Sequence, residues 1–146
     1  MINPINKKEM EVNILTKVSS KYLNMEGLSA LLEASKNKSN FDGAMIMTSF
    51  GMIIGKMVPV YSETDIPHAA ELVNDYKTEY VDIFHEQNED EELEIIGDGS
   101  LVVLEDATVI YGNNNTVDLE EITIHCTDVI AFNPINLAQF KEKLNK

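Results

Sequence analysis

The spacing of hydrophobic positions changes several times along the chain, and each change marks an element. Over 7–23, Met10, Ile14, Val18 and Tyr22 recur every four residues between lysines and glutamates, the pattern of an amphipathic helix, although Glu11-Val12-Asn13-Ile14 could also start a strand. A second helical piece follows over 24–35, with Asn24 as N-cap and Leu28, Leu31 and Leu32 on one face. Between Phe41 and Val60, two short apolar runs flank Ser49-Phe50-Gly51 and predict a hairpin, with Pro59 limiting further pairing. Helical spacing returns over 66–86, where Ile66, Ala69, Val73, Tyr76, Tyr80 and Ile83 alternate steps of three and four. Asp65 and Pro67 suit the first turn of that helix, and its stripe is expected to pack on its own domain.

From Leu93 onward the chain reads as strands: Leu93 to Ile96, a turn at Gly97-Asp98-Gly99, then Leu101 to Tyr111. Gly112-Asn113-Asn114-Asn115 is a turn of residues that tolerate positive φ. Val117 to Glu121 leads into a strand with Ile122 and Ile124 on one face and Thr123 and His125 on the other, and Val129 to Phe132 is a further short strand. Pro134 is expected to open a C-terminal helix with Leu137, Phe140 and Leu144 inward. With no fixed-period repeat and no flexible linker, the 146 residues read as one domain. Its parts are a helical arm (1–40), a β-hairpin (41–60), an acidic helical insertion (61–92), strands (93–133) and the C-terminal helix (134–146).

Charge changes this picture most. The formal net charge is −14, and all eleven basic residues are lysine. Without arginine the chain lacks the planar fork that grips phosphate and base edges, and its net charge repels polyanions, so nucleic acid is not the expected partner. Residues 61–100 hold thirteen acids and Lys77 alone, a local charge of −12. The run Glu89-Asp90-Glu91-Glu92 followed by Glu94 lacks the alternating ligands and sharp-turn glycine of a calcium loop and reads as a solvated segment. The single cysteine, Cys126, excludes an internal disulfide and fits a reducing cytoplasm. No apolar run is long enough to cross a bilayer, and the first residues do not resemble a secretion signal.

Candidate chemistry is sparse. His68 with Glu71, and Asp82 with His85, are spaced i, i+3 on the acidic helix, but no partner glutamates complete a metal site, so they read as exposed polar residues. His125, Cys126 and Asp128 form the sole cluster of His, Cys and Asp, in an acidic surround that disfavours a thiolate; a buried structural thiol is expected. Phosphate-loop, dinucleotide, nucleophile-elbow and metalloprotease patterns are all missing. No catalytic residue, metal or cofactor is therefore expected. Met45, Met47, Met52 and Met57 gather in the first hairpin; thioethers there suit core packing or, for Met45, Met47 and Met52, an adaptable partner surface.

In sequence order these pieces resemble the Sm-like (LSm) family of small, strongly bent five-stranded barrels. The helix before a strand-Gly-strand unit is similar to Leu28–Ser35 followed by Met45–Met57. The family's aliphatic third strand ending in an acidic-Ala pair is similar to Leu101-Val102-Val103-Leu104-Glu105-Asp106-Ala107, and its closing strand-turn-strand to Glu121–Phe132. The resemblance implies an α+β fold, a bent antiparallel β-barrel or sheet with N-terminal helices, an inserted acidic helix and a C-terminal helix, and self-association through sheet edges. The family's Asp-x-Met-Asn and Arg-Gly-x-Asn RNA-binding segments have no counterpart: the insertion around 61–98 replaces the first, and the second reads His125-Cys126-Thr127-Asp128.

The expectation is a non-catalytic cytoplasmic assembly or interaction module, with His125, Thr127 and Asp128 as an interaction loop and itself or another protein as partner. The alternatives are an RNA-binding Sm-like oligomer, in which Lys36, Lys38 and Lys56 would gather at one rim, and a roadblock-like dimeric adaptor, whose order of elements fits equally. The lysine-only, Ile- and Asn-rich usage matches an AT-rich bacterial genome.

Overall fold

The computed structural model describes residues 18–36, 38 and 40–145. The expected helix over 7–23 lies mostly outside them. Ser19 has extended backbone (φ −65°, ψ 129°), and its hydroxyl accepts the Tyr22 N–H at 3.2 Å, so helix α1 runs from Ser20 to Ala34. Asn24 falls inside this helix instead of capping it, because the serine already fills that role. Met25 and Leu28 form its buried face, whereas Leu31 is exposed.

Strands β1 (Gly43–Met47) and β2 (Met52–Val58) form the expected hairpin, with Met47 opposite Met52. Its turn is closed by the Thr48 hydroxyl, which accepts from the N–H groups of Phe50 and Gly51. Helix α2 (Ala69–Gln87) follows, then the long strands β3 (Leu101–Tyr111) and β4 (Asn115–His125). Gly112 and Asn114, at φ of 54° and 64°, make the turn between these two. A 3₁₀ turn (Cys126–Asp128) leads to β5 (Ala131–Ile135), and helix α3 (Leu137–Leu144) ends the described chain.

The five strands form one antiparallel sheet in the order β4-β3-β2-β1-β5. Its bend originates at Asp106. That residue has φ 48°, and it and Ala107 together stand against the single Gly55 of β2, an added residue that kinks β3. Alternation switches phase there: Val102 and Leu104 on one side of the kink and Ala107 and Val109 on the other all reach the same core. Gly55 makes the close approach possible, since a Cβ on it would stand 2.9 Å from the Glu105 carbonyl oxygen and 3.1 Å from Leu104 Cβ. Met25 and Leu28 of α1, Ala44, Ile46, Ile53, Ile124, Cys126 and Val129 complete the core cluster.

This is the α+β, bent five-stranded arrangement that the Sm-like resemblance implies, but among the described residues the sheet is not closed into a barrel. β4 pairs with β3 alone and β5 with β1 alone, which leaves two edges. Leu93–Ile96 is not a strand; β3 is already flanked on both sides, and Ile96 is 93% exposed. Pro134 does not open the last helix but lies in β5, where an edge strand tolerates its missing N–H. Asn136 caps α3 instead, its side chain accepting from the Gln139 N–H at 3.0 Å. Leu137 and Phe140 are half-buried, and Leu144 is exposed rather than inward. Leu137 fills the space beside Gly43, which sets α3 on the sheet face opposite α1.

Candidate interaction surfaces

A polar cluster joins α2 to the sheet. At the kink, Glu105 of β3 and Glu121 of β4 stand directly opposite each other. Glu105 Oε1 lies 2.9 Å from His68 Nε2, and Glu121 Oε1 accepts the Ala69 N–H at 2.7 Å. The second nitrogen of His68 faces the Val60 carbonyl at 3.1 Å. Both ring nitrogens thus face acceptors, an arrangement that only the doubly protonated imidazolium satisfies in full. Burial alone would lower the His68 pKa. The Glu105 hydrogen bond, the Val60 carbonyl and the Glu121 and Glu105 charges outweigh it and raise the pKa above the ordinary 6.5.

His68 is therefore a buried residue at the N-cap of α2, not the exposed polar residue expected from its spacing with Glu71. Glu71 turns away from it and accepts the Ser62 N–H at 3.1 Å. Asp82 and His85 are exposed, and among the described residues no group of three or more His, Cys, Asp and Glu could hold a metal ion. Sequence reading missed this cluster because 37 residues separate His68 from Glu105. The one local signal was the pair Pro67-His68 just ahead of the helix.

The body-facing side of α2 is narrow. Ala70 is buried, Asn74 and Val81 are half-buried, and the Lys77 ammonium packs over Gly99. The apolar stripe expected to pack inward faces solvent: Ile66 is 78% exposed, Val73 62%, Tyr76 63% and Tyr80 61%, and Ile83 is exposed as well. The anchoring of the first turn through His68 and Ala69 fixes the helix in this rotation.

At the end of β4, His125 is exposed, and in the 3₁₀ turn after it Thr127 and Asp128 are exposed and Cys126 is buried. The Lys21 ammonium of α1 donates to the Thr127 carbonyl at 2.6 Å, so one lysine of that region is already engaged. Burial, with the Asp98 and Glu26 charges, pushes the Cys126 thiol up despite the Ser100 side chain, the opposite of what a nucleophile needs. Nearby, the Ser19 and Ser100 hydroxyls and the Ser100 N–H keep the Asp98 carboxyl below its usual range.

Met45 and Met47 share the sheet face opposite α1, with Met52 across from Met47. Met45 and Met52 are half-buried and Met47 is exposed, while Met57 packs against the core. Lys36 lies 3.8 Å from Glu33, and Lys56 is exposed opposite Glu105. On the edge strands, Val117 and Leu119 of β4 and Phe132 of β5 are all exposed. No described helix is long and apolar enough to cross a membrane.

No family model matches the chain, and no curated protein matches it. Among solved structures, it is similar to the Sm protein of Pyrococcus abyssii in complex with a uridine heptamer, at 14% identity and a TM-score of 0.34, over 71% of this chain and 96% of that one.

Proposed function

We propose that the chain is a non-catalytic assembly module that adds copies of itself strand to strand, β4 of one copy against β5 of the next. One observation carries this reading: the two sheet edges open among the described residues differ in character. β4 is eleven residues long and carries Asp118, Glu120 and Glu121 beside the exposed Val117 and Leu119. β5 has the sequence Ala-Phe-Asn-Pro-Ile, without a charge. Pairing β4 with its own copy gathers these acids against one another, whereas pairing it with β5 does not. Unlike edges join head to tail, and such contacts close into a ring when the rotation allows. Open edges invite strand addition; Val117 and Leu119 on β4 and Phe132 on β5 favour it, and Pro134 confines it to the first residues of β5.

A catalytic role has little support, since the one thiol is buried and disfavoured as a thiolate. RNA binding would require lysines alone to overcome a net charge of −14. Light-scattering mass with absorbance at 260 nm on the purified peak tests the reading. A ring-sized multiple of 16.4 kDa, larger than a dimer and free of nucleic acid, supports it. Co-purified nucleic acid would favour the RNA-binding alternative, and a salt-independent dimer the roadblock-like adaptor.

A further inference from the structure

The long outward helix α2 is a surface the assembly reading leaves unused. Its exposed face carries Leu72, Val73, Tyr76, Tyr80, Ile83 and Phe84, all between 43% and 63% exposed. At helical spacing these form one continuous stripe over between three and four turns. Together they leave on the order of 500 Å² of apolar side chain open, near the upper limit for a patch on a monomer. Along one border of the stripe run the exposed Asp75, Glu79, Asp82 and Glu86, spaced four, three and four. The helix's lysine, Lys77, is turned to the body and packs over Gly99.

This charge pattern selects the occupant. In an antiparallel pair of α2 helices related by a two-fold axis, each acidic border would face its own copy, a repulsive arrangement. A helix with apolar residues at the same spacing and Lys or Arg along its border meets both the stripe and the acids. We infer that α2 is the docking site for a basic amphipathic helix of a partner protein, gripped by the Tyr76 and Tyr80 rings and oriented by the acidic row. This deepens the reading of the chain as a protein-interaction module and does not depend on edge pairing. The sheet edges would build the assembly, and α2 would recruit to it.

The test uses the full chain and a fluorescein-labelled synthetic helix with leucines at positions i, i+3, i+4 and i+7 and lysines along one border. Saturable binding by fluorescence anisotropy is expected, at least tenfold weaker for Tyr76→Ser/Tyr80→Ser and for Asp75→Lys/Glu79→Lys. All four side chains are exposed, and unchanged far-UV circular dichroism checks that the variants fold. Absence of saturable binding overturns the inference. So does binding that Tyr76→Ser/Tyr80→Ser leaves unchanged, which would reduce it to charge attraction alone. If Tyr76→Ser/Tyr80→Ser instead lowers the light-scattering mass, the stripe is occupied by a second copy and the inference is again overturned. Failure of edge pairing would show separately, as a monomeric mass with peptide binding intact.

Discussion

His68 Nε2 lies 2.9 Å from Glu105 Oε1, and the same ring reaches the Val60 carbonyl through Nδ1 at 3.1 Å. One imidazolium thus ties together the end of the first hairpin, the kink of β3 and the start of α2. Glu121 faces the same ring from β4 and takes the next backbone N–H.

The His68 pKa is raised in the folded chain, which fixes the sign of its pH dependence. Its stabilising contribution is complete below the unfolded value near 6.5 and is lost as pH rises through the higher folded value. Urea unfolding between pH 5.5 and 8.5 should show the stability difference between wild type and His68→Gln shrinking as pH rises. A difference that grows with pH would contradict the imidazolium assignment. At pH 6, His68→Ala should cost about 1–3 kcal/mol, since it leaves Glu105 and the Val60 carbonyl without their donor.

Gly55 faces the two-residue bulge at Asp106 and Ala107. An added Cβ there meets the Glu105 carbonyl and Leu104 within 3.2 Å, and backbone cannot yield as a flexible side-chain end can. Gly55→Ala should lower stability by about 1–3 kcal/mol, read as a fall in the denaturant midpoint. Gly27, whose Cβ would meet nothing within 4 Å, should instead accept alanine with a gain of up to about 1 kcal/mol, because it lies inside α1.

Cys126 is fully buried, and its thiol pKa is raised, first by burial. Modification by a disulfide reagent should therefore be slow in the native state and should follow the opening of the core. Added urea should raise the labelling rate steeply, in step with the unfolding transition. Rapid stoichiometric labelling of the native chain would contradict this placement.

The sequence made some of these features visible and hid others for physical reasons. Period-two alternation at Ile122 and Ile124 and the Gly-Asn turn at 112–115 are local signals, and both survive in the structure. The hairpin around Thr48 and Gly51 was equally legible. Pro134 misled because the same missing N–H suits a helix start and an edge strand, and only strand order decides between them. The stripe on α2 misled differently: periodicity shows that a helix has an apolar face but not which way the body turns it. That rotation is set by His68, Glu105 and Glu121, whose meeting is a consequence of the fold and leaves no spacing to read.

The kink at Asp106 was also hidden. Leu101 to Tyr111 reads as one strand with no sign of where it bends, yet the phase change at Asp106 brings both halves of β3 to one core. The same bend places Glu105 and Glu121 where they can anchor α2. The edge positions of β4 and β5 among the described strands, in turn, are properties of strand order that no window of sequence contains.

The central claim, assembly through unlike sheet edges, is tested most directly by light-scattering mass of the wild type beside Val117→Lys/Leu119→Lys. Both positions are exposed on β4, so the variant should keep its fold while blunting the edge. The account predicts a wild-type mass that is a multiple of 16.4 kDa and rises with salt as the net charge is screened, and a variant that runs as a monomer. A monomeric wild type, or a variant of unchanged mass, would contradict it.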